Sequence, residues 1–396
     1  MKCICMLLNG PLKYDQRVIR SIDTLSEQNK VDLFYINGDS LDIQVFRGNQ
    51  NVRLFYFNHQ PTFVVKLIRN SFFYLEFDFF IKEVLSKKIQ YNVVYANDLP
   101  TLHPAFVLGR KLNAKIIYDS HEIYLKTINQ FFPTEVNIFK KVIFKFLCWF
   151  MRTMGFNAEK SMISGVDALI TVNQSLADYF NKQYNIKNIT VIKNCPLYNI
   201  EKVKPVVDFR KMFSWGDSDK IFLFQGTMNK GRGFELLLEA MRITNNKIKL
   251  VMLGFGYIKE QLKRLVGNFR LEERVKFLDR VLPEVLPGYT SAADFGVDLA
   301  EDLNLSKKLA LSNKLFEYIH VGIPVLCSDT IENKRIFAEF KIGILTENNV
   351  DKIAGNMLKL VNSQELSYFK QQCELAAKKY NWQNQAVELN NIVNSL

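Results

Sequence analysis

A chain of 396 residues, 48% of them hydrophobic, is long enough for two or three domains that each bury a core, and two large α/β halves are expected. No run of about 18 uncharged apolar residues occurs, which argues against a membrane-spanning helix. The net charge of +12 is uneven, +8 over residues 1–199 and +4 over the rest, and suits an anionic partner; with no helix-turn-helix, zinc-finger or RNA-binding signature, nucleic acid is set aside.

The chain opens on a buried strand, Lys2–Leu8, that runs into Asn9-Gly10-Pro11, so no secretory signal is expected. Further strand-like runs at Val31–Ile36, Val93–Ala96, Lys115–Tyr118, Ala168–Val172 and Ile189–Ile192 alternate with helical patterns. That alternation predicts a parallel, doubly wound sheet. Ligands of such sheets bind at the carboxyl ends of the strands, where three loops stand out. Gly10 in the first lets a substrate approach the backbone. Asp98 in the second, Ala96–Pro100, reads either as a polar group near the ligand or, preferably, as a helix cap. The third, Asp119-Ser120-His121-Glu122, holds one of only four His, placed for a polar contact to a substrate, although a lone His is more often structural.

Phe72–Phe80 is an aromatic concentration whose two acids, Glu76 and Asp78, argue for packing. From Asn137 to Arg152 the chain is apolar and basic, and helical spacing brings Lys141, Lys145 and Arg152 within about 40° of one another. This helix fits either an anionic membrane surface or a core with one solvated stripe. Pro196 just before it, Pro205 within it and no periodicity mark Leu197–Asp208 as the linker between domains 1–198 and 199–380. The six Cys, at 3, 5, 148, 195, 327 and 373, show no metal spacing and read as reduced core thiols of a cytosolic protein.

In the second half a buried strand, Ile221–Gln225, enters Gly226-Thr227-Met228-Asn229-Lys230-Gly231-Arg232-Gly233 and then a Leu-rich helix. Small residues permit close backbone approach and two cations neutralise charge, so the loop reads as a phosphate cradle, although it is neither a Walker A loop nor Gly-x-Gly-x-x-Gly. Lys249–Leu253 leads to Gly254-Phe255-Gly256 at the same edge, and Val275–Val281 follows. After Asp294–Asp298 comes the polar loop Ala300–Ser312, then Asn313-Lys314-Leu315-Phe316-Glu317-Tyr318 and Gly322-Ile323-Pro324-Val325. Ser312 is expected to cap a helix of two or three turns, Gly322 to end it and Pro324 to prevent its continuation into the next strand. Leu315, Phe316 and Ile319 share an apolar face, and Asn313 and Glu317 another. An open helix N-terminus beside Lys314 suits a diphosphate, with Glu317 one turn on for ribose hydroxyls; a plain α/β connection with solvated charges is the alternative.

Asn-Lys-Leu-Phe-Glu-Tyr followed by Gly-Ile-Pro-Val resembles the donor-binding segment of retaining, family-four glycosyltransferases of the GT-B fold, in which a Glu, matched by Glu317, binds the nucleotide ribose. The likeness extends to the glycine loop at Gly10 with its Asp-x-Arg-Val, to Tyr-Asp-Ser-His-Glu, whose His lies against the transferred sugar, and to a last helix, 381–396, that returns to the first domain. It departs at Leu309, where a first Glu touching the sugar is common, at Thr227 where Arg is usual, at Arg232 where Lys is usual, and at Asp279 where Gly is common.

The resemblance implies two Rossmann-like domains facing a cleft. A nucleotide-sugar donor would lie with its diphosphate on Lys230, Arg232 and the helix opening at Asn313, Lys314 and Leu315, near Gly10, Gly226 and Thr227, its ribose on Glu317 and its sugar by His121. It also implies hexosyl or N-acetylhexosaminyl transfer with retention to a growing polysaccharide or lipid-linked glycan, without an obligatory metal, in the cytoplasm or on the inner face of the membrane. A nucleotide-sugar epimerase or hydrolase of the same fold would release sugar without an acceptor. A non-catalytic sugar-nucleotide or membrane-binding module, suggested by Leu309, would not turn the donor over.

Overall fold

The computed structural model describes residues 1–36, 38, 46, 48–57, 78–128, 137–201, 203–301 and 304–396. It has two compact units, Met1–Asn194 with Gln385–Leu396, and Cys195–Asn384. Each is a parallel sheet flanked by helices. The linker expected at Leu197–Asp208 falls inside the second unit, where the Val206 N–H donates to the Gly288 carbonyl.

The first unit holds seven strands: β1 Cys3–Leu8, β2 Lys30–Ile36, β3 Val52–Phe57, β4 Val93–Asn97, β5 Lys115–Ser120, β6 Ala168–Thr171 and β7 Ile189–Val191. Their order is β3-β2-β1-β4-β5-β6-β7, every pair parallel. Central strands covered on both faces must be apolar throughout, as Ile4–Leu7 and Val93–Ala96 are. The sequence reading omits β3, a half-exposed edge strand held by stacking of Phe55 on Phe34, ring centroids 4.7 Å apart. Phe79 and Phe80, in the helix Asp78–Ser86, pack on Phe57; Phe72–Phe77 lies outside the described residues.

Asn137 caps the helix Ile138–Ile163 by accepting the Lys140 N–H. Its second half is anchored by Met151, Ala158, Met162 and Ile163, whereas no residue from Ile138 to Leu147 is buried. Arg152 is not on a free basic stripe, because its Nε donates to the Leu125 carbonyl. Among the described residues no helix is long and apolar enough to cross a membrane, and all six Cys are free thiols.

The second unit holds β8 Lys220–Thr227, β9 Ile248–Phe255, β10 Val275–Leu278, β11 Phe295–Asp298, β12 Val325–Ser328 and β13 Gly343–Thr346, in the order β10-β9-β8-β11-β12-β13. The helix Asn313–Val321 is pinned by Tyr318, whose hydroxyl lies 2.9 Å from the Leu223 carbonyl on β8 and 3.2 Å from that of Val297 on β11. Gly296 makes the room: a Cβ there would lie 2.5 Å from the Tyr318 ring. Gly322, at φ +76°, ends the helix as expected. Ser312 does not cap it; its Oγ faces the Lys314 ammonium instead, at 3.1 Å, so the helix opens without a side-chain cap.

The final helix, Trp382–Ser395, starts in the second unit and ends in the first. In the first unit the Lys193 N–H donates to Gln385 and the Lys2 ammonium to the Val393 carbonyl.

Gly254, at φ +147°, has its missing Cβ position 1.9 Å from the Gly226 carbonyl oxygen, so backbone meets backbone where β8 and β9 end. Gly254→Ala should therefore destabilise the protein by at least about 2 kcal/mol in urea unfolding. Gly355→Ala, exposed inside the helix Val350–Val361 with open space around it, should instead add about 0.5–1 kcal/mol.

Candidate active site

In each sheet the strand order reverses once, at β1/β4 and at β8/β11, and the loops leaving those strands carry the polar clusters.

In the second unit β8 ends through Gly226, φ +117°, and the loop that follows it is fastened by two contacts. The Met228 N–H donates to the Phe255 carbonyl at 2.6 Å. Glu301, beyond β11, accepts the Gly233 N–H at 2.9 Å while its own N–H donates to the Gly231 carbonyl. Lys230 is exposed and Arg232 half-buried, and neither cation has a carboxylate partner among the described residues. Thr227, the last residue of β8, is half-buried.

Asn313 is exposed at the uncapped helix start, and Leu315 is wholly buried, its N–H donating to the Ser312 carbonyl. Lys314 turns inward, 7% exposed, with Nζ 2.8 Å from Asp298 Oδ1 and over the Phe224 ring. Burial pushes its pKa down, opposed by Asp298 and reinforced by the nearby Arg232 guanidinium. Its charge is already matched, which among the described residues of this site leaves Lys230 and Arg232 as the available cations. Glu317, one turn on, accepts from Gln225 Nε2 at 2.5 Å, and Gln225 is oriented by Thr290, whose hydroxyl lies 2.8 Å from its Oε1.

In the first unit His121 follows β5. Its backbone N–H donates to Asp98 Oδ1 at 2.8 Å, its Nδ1 lies 3.2 Å from Asp98 Oδ2, and its Nε2 lies 3.4 Å from Asp119 Oδ2 without hydrogen-bond alignment. Asp98 is not the cap preferred from the sequence. It stands at φ 62°, ψ 165°, a conformation costly for any residue but Gly, and caps nothing; the carboxylate is drawn to His121 instead. Asp119 is fully buried, bridged by Arg17 through Nε and Nη2 at 3.0 and 2.7 Å, and accepts from the Tyr95 hydroxyl at 2.8 Å. Burial alone would push the Asp119 pKa up, but Arg17 and His121 hold it well below the carboxylate range. Burial likewise opposes charge on His121, yet Asp98 and Asp119 prevail and raise it to about 10. The imidazole is thus a cation at neutral pH, a donor rather than a base. Gly10, beyond β1, has open space about its missing Cβ.

Residues 208–380 match the family described as Glycosyl transferases group 1, and residues 16–195 match Glycosyltransferase Family 4, together most of the chain. The chain is a GT-B glycosyltransferase. Over 131 residues, 33% of each chain, it is 28% identical to a Campylobacter jejuni enzyme named N-acetylgalactosamine-N,N'-diacetylbacillosaminyl-diphospho-undecaprenol 4-alpha-N-acetylgalactosaminyltransferase. Over 245 residues, 60% of each chain, it is 22% identical to an uncharacterised glycosyltransferase of Methanocaldococcus jannaschii. These matches span a third and three-fifths of the relatives' lengths. Its fold is shared with Anabaena HepE, solved with UDP and glucose, at a TM-score of 0.76, 14% identity and full coverage of both chains.

Several groups of this glycosyltransferase escape sequence reading. Gln225 looked like the end of a buried strand, and Arg17, Asp98 and Asp119 come together across 102 positions of chain. Only the Asp-x-Arg-Val beginning at Asp15 gave a signal for Arg17.

The folded pKa of His121 lies above the ordinary value of about 6.5, so the stability its charge contributes is complete below that value and is lost as pH rises through about 10. Imidazole NMR should show His121 still protonated at pH 8 and its midpoint at least about one unit lower in Asp98→Asn. Chemical unfolding between pH 7 and 10 should show wild type losing more stability than His121→Gln.

Proposed function

We propose that the enzyme moves a hexosyl or N-acetylhexosaminyl group from a nucleotide sugar to a glycan or lipid-linked acceptor, with retention of configuration, in cell-surface polysaccharide synthesis at the inner face of the membrane. The observation that carries this is the pair of cations, Lys230 and Arg232, without a carboxylate partner among the described residues, on the loop after β8, whose Gly226 adjoins Lys314 at the uncapped helix start, with Glu317 one turn beyond. Peptide N–H groups and guanidinium suit a diphosphate, and a carboxylate held by Gln225 suits two ribose hydroxyls. Retention comes from the likeness in the Asn313–Val325 segment. The diphospho-undecaprenol in the name of the Campylobacter relative supports a lipid-linked acceptor, and the UDP and glucose of the Anabaena structure support the donor class.

As the glycosidic bond breaks, negative charge grows on the leaving diphosphate. Arg232, Lys230 and the helix dipole lie ready to stabilise it without reorganising, the role a divalent metal takes in other transferases. His121, fixed as a cation, would lie against the transferred sugar, where the 29%-exposed Asp98 beside it offers an acceptor for a sugar hydroxyl.

A screen of nucleotide sugars with lipid-linked acceptors should give glycosylated product with the donor's anomeric configuration, and turnover should survive EDTA. Free sugar appearing without acceptor would instead identify a hydrolase or epimerase. In calorimetry with the nucleoside diphosphate, Arg232→Ala should weaken binding more than Lys230→Ala, because a planar fork holds two phosphate oxygens at once. Glu317→Gln keeps the shape and loses charge assistance, so affinity should fall by up to roughly 10- to 150-fold. Unchanged affinity with intact folding would remove Glu317 from the ribose.

A further inference from the structure

The helix Ile138–Ile163 presents an apolar surface that nothing in the donor chemistry uses. Ile138, Phe139, Val142, Phe146 and Trp149 are each 60–81% exposed, and Ile143 is exposed as well. At 100° per residue these six fall in one arc of about 140°. Lys141 and Lys145 border one edge of that arc and Lys140 the other, all three exposed. Phe144, Leu147, Cys148 and Met151 occupy the opposite side and face the unit. The first ten residues of the helix, about 15 Å, thus stand with their aromatic side outward.

A water-facing helix of a globular unit carries its charge outward and its rings inward, whereas here apolar side chains and rings join the lysines on the outward side. The composition says what covers it. No acid occurs from Ile138 to Ala158, so the charges that this helix itself sets along the apolar arc are lysines alone, whereas a protein interface ordinarily has a polar rim of mixed hydrogen-bonding character. Aliphatic and aromatic side chains bounded by lysines fit the boundary between acyl chains and anionic headgroups.

We propose that the first half of this helix lies in the plane of an anionic bilayer, with Ile138, Phe139, Val142, Phe146 and Trp149 at the acyl boundary and Lys140, Lys141 and Lys145 among the headgroups. Arg152, grouped with Lys141 and Lys145 by helical spacing, takes no part because it is bound to Leu125. The docking deepens the reading of a lipid-linked acceptor and depends on it only for its purpose, since holding the first unit on the bilayer would bring the enzyme to a substrate confined to two dimensions.

Trp149 reports the event, because the other two tryptophans, Trp215 and Trp382, are buried. Vesicles of phosphatidylcholine with an anionic phospholipid should bind the full chain in a flotation assay and shift its fluorescence to the blue. Phosphatidylcholine alone should bind it less, and added salt should weaken the anionic binding. Lys140→Glu, Lys141→Glu and Lys145→Glu together should reduce anionic binding by well over tenfold, on the order of fivefold for each lysine neutralised. Phe139→Ser with Phe146→Ser should reduce binding to both kinds of vesicle. These side chains are exposed, and an unchanged circular-dichroism spectrum and thermal transition check that each variant is folded. Absence of both flotation and blue shift would overturn the proposal, as would a self-associated or protein-bound chain that loses its association in the Phe139→Ser, Phe146→Ser variant while ignoring lipid. No turnover enters these measurements, so failure of the donor or acceptor assignment leaves the result standing, and failure here leaves sugar transfer intact.

Discussion

Parallel pairing governs both units. Strands that all run the same way need crossover helices between them, and every strand then delivers its carboxyl-end loop to one edge of the sheet. Where the order reverses, at β1/β4 and β8/β11, adjacent loops diverge to opposite faces and leave a crevice. The residues discussed above collect at those edges: Gly10, Asp98 and His121 in the first unit, Gly226–Gly233 and Glu301 in the second. Their chemistry differs, but one topological fact brings each group together.

Charge is handled in two contrasting ways there. Asp119 with Arg17 and Lys314 with Asp298 are buried pairs whose charges are matched inside the protein. Removing one partner would strand the other in a low-dielectric interior, so these pairs specify geometry more than they add stability. Arg232 and Lys230 carry charge with no carboxylate to meet it among the described residues. An anion held there, as proposed for a diphosphate, would meet cations already in place, with Arg232 partly desolvated.

Much of this was legible in the sequence, for reasons that can be named residue by residue. Continuous apolar runs gave the central strands because those strands are covered on both faces, and Gly322 with Pro324 gave the end of the Asn313 helix because its geometry demands them. The half-exposed edge strand Val52–Phe57 lacked that signature. Ser312 and Asp98 were misread for a common reason: local sequence offers each a backbone N–H, but the fold offers a stronger partner, the Lys314 ammonium for one and His121 for the other. Likewise Lys314 looks like a phosphate ligand until Asp298, sixteen residues earlier, is placed beneath it. Spacing along a helix shows which side chains share a face, but not which partner waits on the next strand.

The first unit is discontinuous in the chain, since Gln385–Leu396 returns to it after the whole of the second. On a ribosome the second unit has its full sequence before the first does. Cys195–Asn384 is therefore able to close its core while Lys2 and Lys193 still await the final helix that takes their hydrogen bonds. The amino-terminal sheet, although made first, is completed last.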